Sequence, residues 1–396
     1  MKAFLFLVSL TFILSACGGR EVSSSGFTGS PYVDPDRLGR DEILHLPTGT
    51  LISREELYAL LQSTEIVYFG EGHDNIYDHR VELELLQEFW RRRAGQLAVG
   101  LEMLAAVNQD KIDQWLAGKL GDEDFLRLFA ADWGLDDFVY YREIFFFIKD
   151  KQIPLRALNV SRREKMAVMA GGGEAVDQES TAAGRAGPDD VYQEKALRAM
   201  FAGHAEGRGD LEIFMRIHQL WENTMAENIV NWLKSPAGEG KTLLVLSGAF
   251  HVAHGYGLPR RVFQRLRRPY AIVLTHTPSD LVENERRTMA VDFPELPLYL
   301  GDFIWCVPYR NLKDVQARLG VGLRETPSGL EITKLEDDGA AAANGLLPGD
   351  LIVAVEGRES REVFTLKMLL LHKVKGDTID LRIVRDGVEK VLAVRL

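Results

Sequence analysis

Cysteine is scarce in this chain, which contains only Cys17 and Cys306 among 396 residues. No disulfide framework is predicted, and no C-x-x-C motif occurs. Long apolar runs are also lacking, because no segment after the first 16 residues reaches the roughly 18 apolar residues of a membrane-spanning helix. The formal net charge of −11 leaves no excess of basic side chains and argues against a nucleic-acid partner. The chain also lacks a G-x-S-x-G elbow, a P-loop and a G-x-G-x-x-G motif after a strand.

The N terminus has the pattern of a bacterial export signal. Lys2 precedes the apolar run Ala3–Leu14, which has the length of a signal-peptide core. The sequence Leu14-Ser15-Ala16-Cys17 resembles the lipobox of bacterial lipoproteins. That resemblance implies that residues 1–16 are removed and that Cys17 is acylated, and Gly18 favours the outer membrane, facing the periplasm. An ordinary secretory signal with an incidental cysteine is the alternative.

Composition divides the remaining chain into three parts. Residues 17–41 are rich in Gly, Ser, Pro and Asp and are predicted to form a flexible tether. Residues 42–312 form the predicted first domain and residues 317–396 a second. Within the first, Gly171 to Asp190 is predicted to be a mobile insertion, either a surface loop or a lid over a ligand.

Short apolar runs alternate with helical patterns through the first domain. The runs show no strict polar alternation, as expected for strands that are covered on both faces. The fold class is therefore α/β, a largely parallel sheet with helices on both faces. The predicted strands are Ile66–Gly70, Leu97–Met103, Ile153–Asn159, Thr242–Ser247, Tyr270–Thr275 and Phe303–Val307, and the clearest helices are Arg80–Arg93 and Asp210–Lys234.

Polar residues stand at the carboxyl ends of four predicted strands. They are Glu71 and His73, Glu102, Asn159, and His251. Ligands of open α/β sheets bind outside the carboxyl ends of the strands, so these side chains are expected to converge. Two imidazoles and two carboxylates can bind a transition metal or act as general acid and base. A histidine that merely satisfies a buried carbonyl is the alternative at each position.

Several motifs together resemble the ChaN-like haem-binding lipoproteins of the Tiki superfamily. The resemblance covers roughly residues 42–310, and Glu222 stands where the family often has Asp. The matching segments are IVYFGEGHDN (Ile66–Asn75), VGLEM (Val99–Met103), Leu158-Asn159, QLWENTMA (Gln219–Ala226) and GAFHVAHGYGLP (Gly248–Pro259).

This resemblance implies a haem-binding protein in iron uptake, with a possible homodimer around two stacked haems. The implied cofactor-binding residues are Glu71, His73, Glu102, Asn159, His251 and Tyr256. The axial iron ligand stays open among Tyr77, Tyr192, Tyr256, His79, His218 and His254, because tyrosine is expected from the family and histidine is a common haem ligand.

Two other functions stay open. Relatives in the same superfamily include metal-dependent hydrolases, and in that case Glu71, His73, Glu102 and His251 would bind a divalent metal or activate water as the catalytic residues. A binding protein is favoured over an enzyme. The third possibility is an envelope interaction module in which these residues have no ligand.

The C-terminal residues resemble a small α+β domain of the PDZ family from end to end. Gly320, Val321, Gly322 and Leu323 match its carboxylate-binding loop, and GAAAANGLLPGDLI (Gly339–Ile352) matches its helix, turn and strand. Arg361–His372 is the predicted groove helix. The resemblance implies that a peptide or protein tail adds a strand to the sheet edge. The alternative is a groove that binds no free peptide.

Overall fold

The computed structural model describes residues 33–170, 190–203, 211–284, 296–312 and 316–396. The chain divides into two compact units, Met1–Asn311 and Leu312–Leu396. No helix within the described ranges has both the length and the apolar character needed to cross a membrane. The predicted signal peptide, Cys17 and all of the predicted insertion except Asp190 lie outside the described residues.

The first unit is built on one sheet with the strand order β2-β1-β8-β7-β3-β6-β4-β5 within the described chain. Strands β3 to β8 pair in parallel, whereas β1 and β2 are antiparallel. The prediction of a largely parallel sheet is therefore confirmed. The strands are β1 (Ile43–His45), β2 (Thr50–Ile52), β3 (Ile66–Glu71), β4 (Leu97–Ala105), β5 (Leu155–Asn159), β6 (Thr242–Gly248), β7 (Tyr270–His276) and β8 (Phe303–Cys306).

The described helices of this unit are α1 (Arg54–Leu61), α2 (Ile76–Arg93), α3 (Gln109–Leu116), α4 (Asp122–Asp132), α5 (Phe138–Asp150), α6 (Arg162–Met169), α7 (Val191–Gly203), α8 (Leu211–Lys234), α9 (Ala249–Val252) and α10 (Leu258–Arg265). Local sequence fixes several helix starts. Capping boxes begin α1 at Ser53 and α6 at Ser161, and the Asn75 side chain caps α2.

Both faces of the sheet are covered. All six residues of β3 are buried, and neighbouring residues of a strand point to opposite faces. Ile66 and Tyr68 share one core with Met225 and Ile229 of α8. Val67 and Phe69 are fully buried on the other face.

The last part of the predicted tether is packed against the sheet. Pro35 and Leu38 are buried, and Asp36 lies 2.8 Å from His276 Nε2. The backbone N–H of Asp41 donates to the Cys306 carbonyl. The structure thus differs from a flexible tether over residues 33–41, because an apolar side chain there enters the core of the first unit.

The second unit contains an antiparallel sheet in which the described strands follow the order β14-β13-β11-β10-β9. Strand β9 is at the edge, which leaves its outer backbone groups unpaired within the sheet. The elements are β9 (Val321–Thr326), β10 (Gly329–Leu335), α11 (Ala340–Ala343), β11 (Leu351–Val355), β12 (Arg358–Glu359), α12 (Val363–Leu370), β13 (Thr378–Arg385) and β14 (Val388–Arg395).

Candidate functional site

The histidine–glutamate cluster, defined as Glu71, His73, Glu102 and His251, forms at the carboxyl ends of three neighbouring strands. Glu71 ends β3, Glu102 lies near the end of β4, and β6 between them leads into His251. Parallel pairing brings these distant parts of the chain to one edge of the sheet. The cluster is well enclosed, because the side chain of His73 is 11% exposed and that of His251 is 0% exposed.

Gly248 is the point at which the two halves of the cluster meet. Its backbone N–H donates to Glu102 Oε2 at 2.8 Å. A Cβ atom at this position would lie 2.7 Å from His73 Nε2 and 3.7 Å from Glu102 Oε2. Glycine therefore permits β6 to approach both His73 and Glu102 closely.

Glu71 holds the His73 ring in position. His73 Nδ1 is 2.6 Å from Glu71 Oε1, and the buried Tyr141 hydroxyl donates to the same oxygen at 2.5 Å. Burial alone would raise the pKa of Glu71, but the facing histidines and hydrogen bonds hold it below its ordinary value. An ionised carboxylate only accepts, so Nδ1 carries hydrogen and the neutral ring presents a lone pair at Nε2. The ring edge of Trp133 packs on His73 at 4.9 Å between centroids.

His251 lies between two carboxylates. Its Nε2 is 3.4 Å from Glu102 Oε1, and its Nδ1 is 3.4 Å from Glu222 Oε1. Burial raises the pKa of Glu102, but the His251 charge and hydrogen bond outweigh it and lower that pKa to about 2. Two buried carboxylates thus stabilise a positive charge on the imidazole.

The sequence pattern did not identify Glu222 as a site residue. It is fully buried on α8, where it accepts from Arg261 Nε at 3.0 Å and from Gln193 Nε2 at 2.6 Å. Burial raises the pKa of Glu222, but the hydrogen bond from His251 and the charges of Arg261, His251 and His218 outweigh burial and lower it. The motif QLWENTMA (Gln219–Ala226) marks this part of α8, but it does not predict the contact of Glu222 with His251.

Two further predicted cofactor-binding residues, Asn159 and Tyr256, are buried near other strands and loops. Asn159 is buried at the end of β5, where its Oδ1 accepts from the Val160 N–H. No hydrogen bond joins it to the cluster among the residues that the structure describes. Tyr256 is buried in a small apolar group with Ala196 and Leu296. Its ring also stacks on His254, with 5.4 Å between centroids.

The six side chains considered from the sequence as iron ligands differ in their exposure to solvent. His79, His218 and Tyr256 are buried, whereas Tyr77, Tyr192 and His254 are partly exposed. The Tyr77 hydroxyl is engaged, since it donates to Glu283 Oε1 at 2.6 Å. Tyr192 and Phe250, the residue before His251, both pack against the small group of Ala196, Tyr256 and Leu296. His254 follows His251 by three positions.

His254 has two features typical of a ligating histidine. Its Nδ1 is 3.2 Å from the Tyr299 carbonyl oxygen, which can only accept. Nδ1 therefore carries hydrogen, so the neutral ring presents its Nε2 lone pair, as in many metal-binding histidines. Its φ of 59° is left-handed, which is uncommon outside glycine and frequent at functional sites.

The predicted carboxylate-binding loop forms the entry to edge strand β9. Gly320 has a φ of 68°, and a Cβ there would lie 2.8 Å from Gly339 Cα. Val321 and Leu323 are partly buried against the core of the second unit. Helix α12 begins beside this strand, where the Val363 N–H donates to Glu325 Oε1 at 2.8 Å. Strand edge and helix together form the elements of a peptide groove.

Two family models match the chain. The model described as "Haem-binding uptake, Tiki superfamily, ChaN" matches residues 57–262, more than half of the chain. The model of the PDZ domain matches residues 317–396. No curated protein matches the chain. All four residues of the histidine–glutamate cluster lie within the first match.

Solved structures resemble the two parts separately. The ChaN protein of Campylobacter jejuni, titled for cofacial haem binding, is 18% identical with a TM-score of 0.49, over 68% of this chain and 97% of its own. A Yersinia pestis serine endoprotease is 22% identical with a TM-score of 0.19, over 21% of this chain and 29% of its own. The HtrA3 PDZ domain, bound to a phage-derived ligand, is 20% identical with a TM-score of 0.19, over 20% of this chain and 85% of its own.

Proposed function

The chain belongs to the ChaN family of haem-binding uptake proteins in the Tiki superfamily, and from this membership we propose that its first domain binds haem for iron uptake. The observation that carries the proposal is the convergence of the histidine–glutamate cluster at one sheet edge, with His254 three residues after His251. Histidine and tyrosine are both protein ligands of haem iron. The residues present therefore fit the cofactor.

We assign the iron ligand to His254. Its Nδ1 contact with the Tyr299 carbonyl and its partial exposure support this choice over the buried His79 and His218. His73, the more accessible imidazole of the cluster, is the next candidate to contact the cofactor. Bound haem would supply an iron centre, and the chain would supply its ligand and an aromatic, water-excluding surface.

Haem titration of residues 18–396 tests this assignment. The wild-type protein should show a saturable Soret band, and His254→Ala should shift the band and weaken binding at least tenfold. His372→Ala, which removes an exposed histidine of the second unit, should bind as wild type. Wild-type affinity and spectrum in His254→Ala would refute the assigned ligand, and no Soret change in any variant would refute haem binding.

We further propose a homodimer around two stacked haems. The partial exposure of His254 supports an edge that a second copy can cover. Sedimentation of the soluble chain should show a monomer without haem and a dimer with it. A monomer at saturating haem would contradict the stacked arrangement.

Anchoring by acylated Cys17 in the outer membrane, facing the periplasm, is part of the same proposal. The apolar run and lipobox-like sequence support it, since two or more acyl chains hold a protein firmly on a membrane. Labelling with a radioactive fatty acid should mark the wild-type protein and not Cys17→Ser. Equal labelling of both proteins would remove the anchor from the proposal.

For the PDZ domain we propose recognition of a peptide or protein C terminus. Edge strand β9 and the glycine-containing loop at Gly320 support this, because backbone amides there can hold a terminal carboxylate. A library of C-terminal peptides should give ligands that bind the whole chain, and binding should fall when the terminal carboxylate is amidated. Equal binding of amidated peptides would contradict this mode.

Hydrolysis is the second candidate function. It is favoured by the Glu71–His73 pair, in which a carboxylate orients a partly exposed neutral imidazole as a base for activating water. Peptide or ester turnover that is lost in His73→Ala but kept in His254→Ala would favour the hydrolase. Turnover that persists in His73→Ala would exclude this cluster as its source.

A further inference from the structure

A second group of ligating side chains lies behind His73. His79 of α2 faces one oxygen of Glu71, whereas the Tyr141 hydroxyl bonds the other, and Glu82 of α2 pairs with His79. All three are buried, with exposures of 1% for Glu71, 5% for His79 and 0% for Glu82. One nitrogen or oxygen from each lies within 4.8 Å of the other two. Among the described residues this is the group of acidic, histidine and cysteine side chains close enough to share an ion.

The hydrogen bonds of His79 determine which of its nitrogens has a lone pair. Its Nε2 is 3.1 Å from the His73 carbonyl oxygen, which can only accept. Nε2 therefore carries hydrogen, and Nδ1 of the neutral ring is an acceptor. Nδ1 lies 2.8 Å from Glu82 Oε2 and 3.2 Å from Glu71 Oε2. Three acceptor atoms thus face one another.

No basic side chain in the described chain neutralises the two carboxyl groups. Glu71 Oε2 and Glu82 Oε1 are buried without a hydrogen-bond partner, and no lysine or arginine there pairs with either carboxyl. Buried charges ordinarily require a partner or a metal. Either a proton on Glu82 or a cation must therefore balance the group. Burial and the neighbouring Glu71 charge raise the pKa of Glu82, so a proton is the competitor that an experiment must separate.

We propose that Glu71, His79 and Glu82 bind one divalent transition-metal ion. Mixed imidazole and carboxylate donors suit Zn²⁺, Mn²⁺ or Fe²⁺. The His79 Nε2–H bond to a backbone carbonyl is the outer contact that ligating histidines usually make. The site differs from the metal set considered from sequence, since it shares only Glu71 with it. It goes beyond haem binding and does not require it.

The group is linked to the histidine–glutamate cluster through Glu71. One oxygen of Glu71 holds His73 and Tyr141, and the other faces His79. A bound ion would fix this carboxylate and thereby the orientation of the His73 ring. The ion would therefore position His73 through Glu71 without contacting it.

Glu82→Gln separates the metal from the proton. The glutamine amide can donate to His79 Nδ1 and so replace a protonated carboxyl, but it is a poor metal ligand. After chelator treatment, the soluble chain should bind one equivalent of Zn²⁺ or Mn²⁺ and unfold at a higher temperature with the ion. Glu82→Gln should lose at least tenfold in affinity and this thermal shift, while its unfolding temperature in chelator stays at or above the wild-type value.

Glu84→Gln on the same helix is the matched control, because Glu84 bonds Tyr58 on the other side of α2. It should retain wild-type metal binding. Equal metal affinity of Glu82→Gln and wild type would overturn the proposal. So would a wild-type protein that binds neither ion, and that outcome is independent of the Soret titration that tests haem binding.

Discussion

At the scale of single residues, Gly248 tests whether close approach of β6 shapes the site. In Gly248→Ala, the new methyl group would lie 2.7 Å from His73 Nε2, and the His73 ring must move. We expect haem affinity to fall about tenfold or more while the fold is kept. Gly121→Ala is the control, since its methyl group would meet only Asp124 Oδ2 at 3.5 Å. Unchanged affinity in Gly248→Ala would separate haem from this part of the edge.

Glu222 is the residue on which we expect stability to depend most. Glu222→Gln leaves Arg261 and His251 without their carboxylate in a buried place, which costs roughly 3–5 kcal/mol. Glu194→Gln removes an exposed pair with Arg198 and should change stability by less than about 0.5 kcal/mol. Denaturant unfolding measures both. A similar small change in the two variants would mean that the Glu222 network adds little.

Residue type and strand position were enough to predict that Glu71, His73, Glu102 and His251 meet. Each follows an apolar run, and parallel pairing places such residues at a common edge. Glu222 and Tyr141 could not be found in this way. They reach the site from helices, and the face that a helix turns toward the sheet is fixed by tertiary packing.

At the scale of elements, the long buried strands were the easiest to predict. Strands β3, β4, β6 and β7 carry apolar runs whose bounds agree within two residues of the structure. Strands β1 and β2 are three residues each, too short to produce a recognisable period. The packed segment around Leu38 was likewise missed, because a single apolar residue in a polar stretch gives no pattern.

The ion pair between Asp350, just before β11, and Arg385, at the end of β13, predicts a pH dependence for the stability of the second unit. Asp350 accepts hydrogen bonds from Arg385 Nε and Nη2, both at 2.6 Å. Burial raises the pKa of Asp350, but the bonds and charge of Arg385 outweigh burial and lower it. A lowered carboxyl pKa contributes stability above the ordinary aspartate pKa, which is lost as pH falls below it. Asp350→Asn should therefore lose about 1.5–3 kcal/mol at neutral pH.

The comparison of pH profiles checks this contribution. Between about pH 5 and pH 3, unfolding of the second unit in Asp350→Asn should depend less on pH than in wild type. Asp380→Asn, at an exposed position of β13, should follow the wild-type profile. Parallel profiles for wild type and Asp350→Asn would show that the ion pair does not couple stability to pH.

At the scale of the whole molecule, Cys306 reports opening of the first unit. It is fully buried, its Sγ donates to the Leu38 carbonyl, and burial raises the pKa of its thiol to about 12. In residues 18–396 it is the single cysteine. A thiol reagent at about pH 8 should react only when denaturant unfolds the unit, whereas Val388→Cys adds an exposed thiol that reacts at once. Rapid reaction of native wild type would contradict this burial.

The position of bound haem decides whether the histidine–glutamate cluster and His254 form its site. Crystals of the soluble chain grown with haem, measured at the iron absorption edge, would locate the iron directly by anomalous scattering. We predict a peak at the carboxyl-terminal edge of the sheet, within bonding distance of His254 Nε2 and next to the histidine–glutamate cluster. An iron peak at the opposite edge of the sheet or in the second unit would contradict the account.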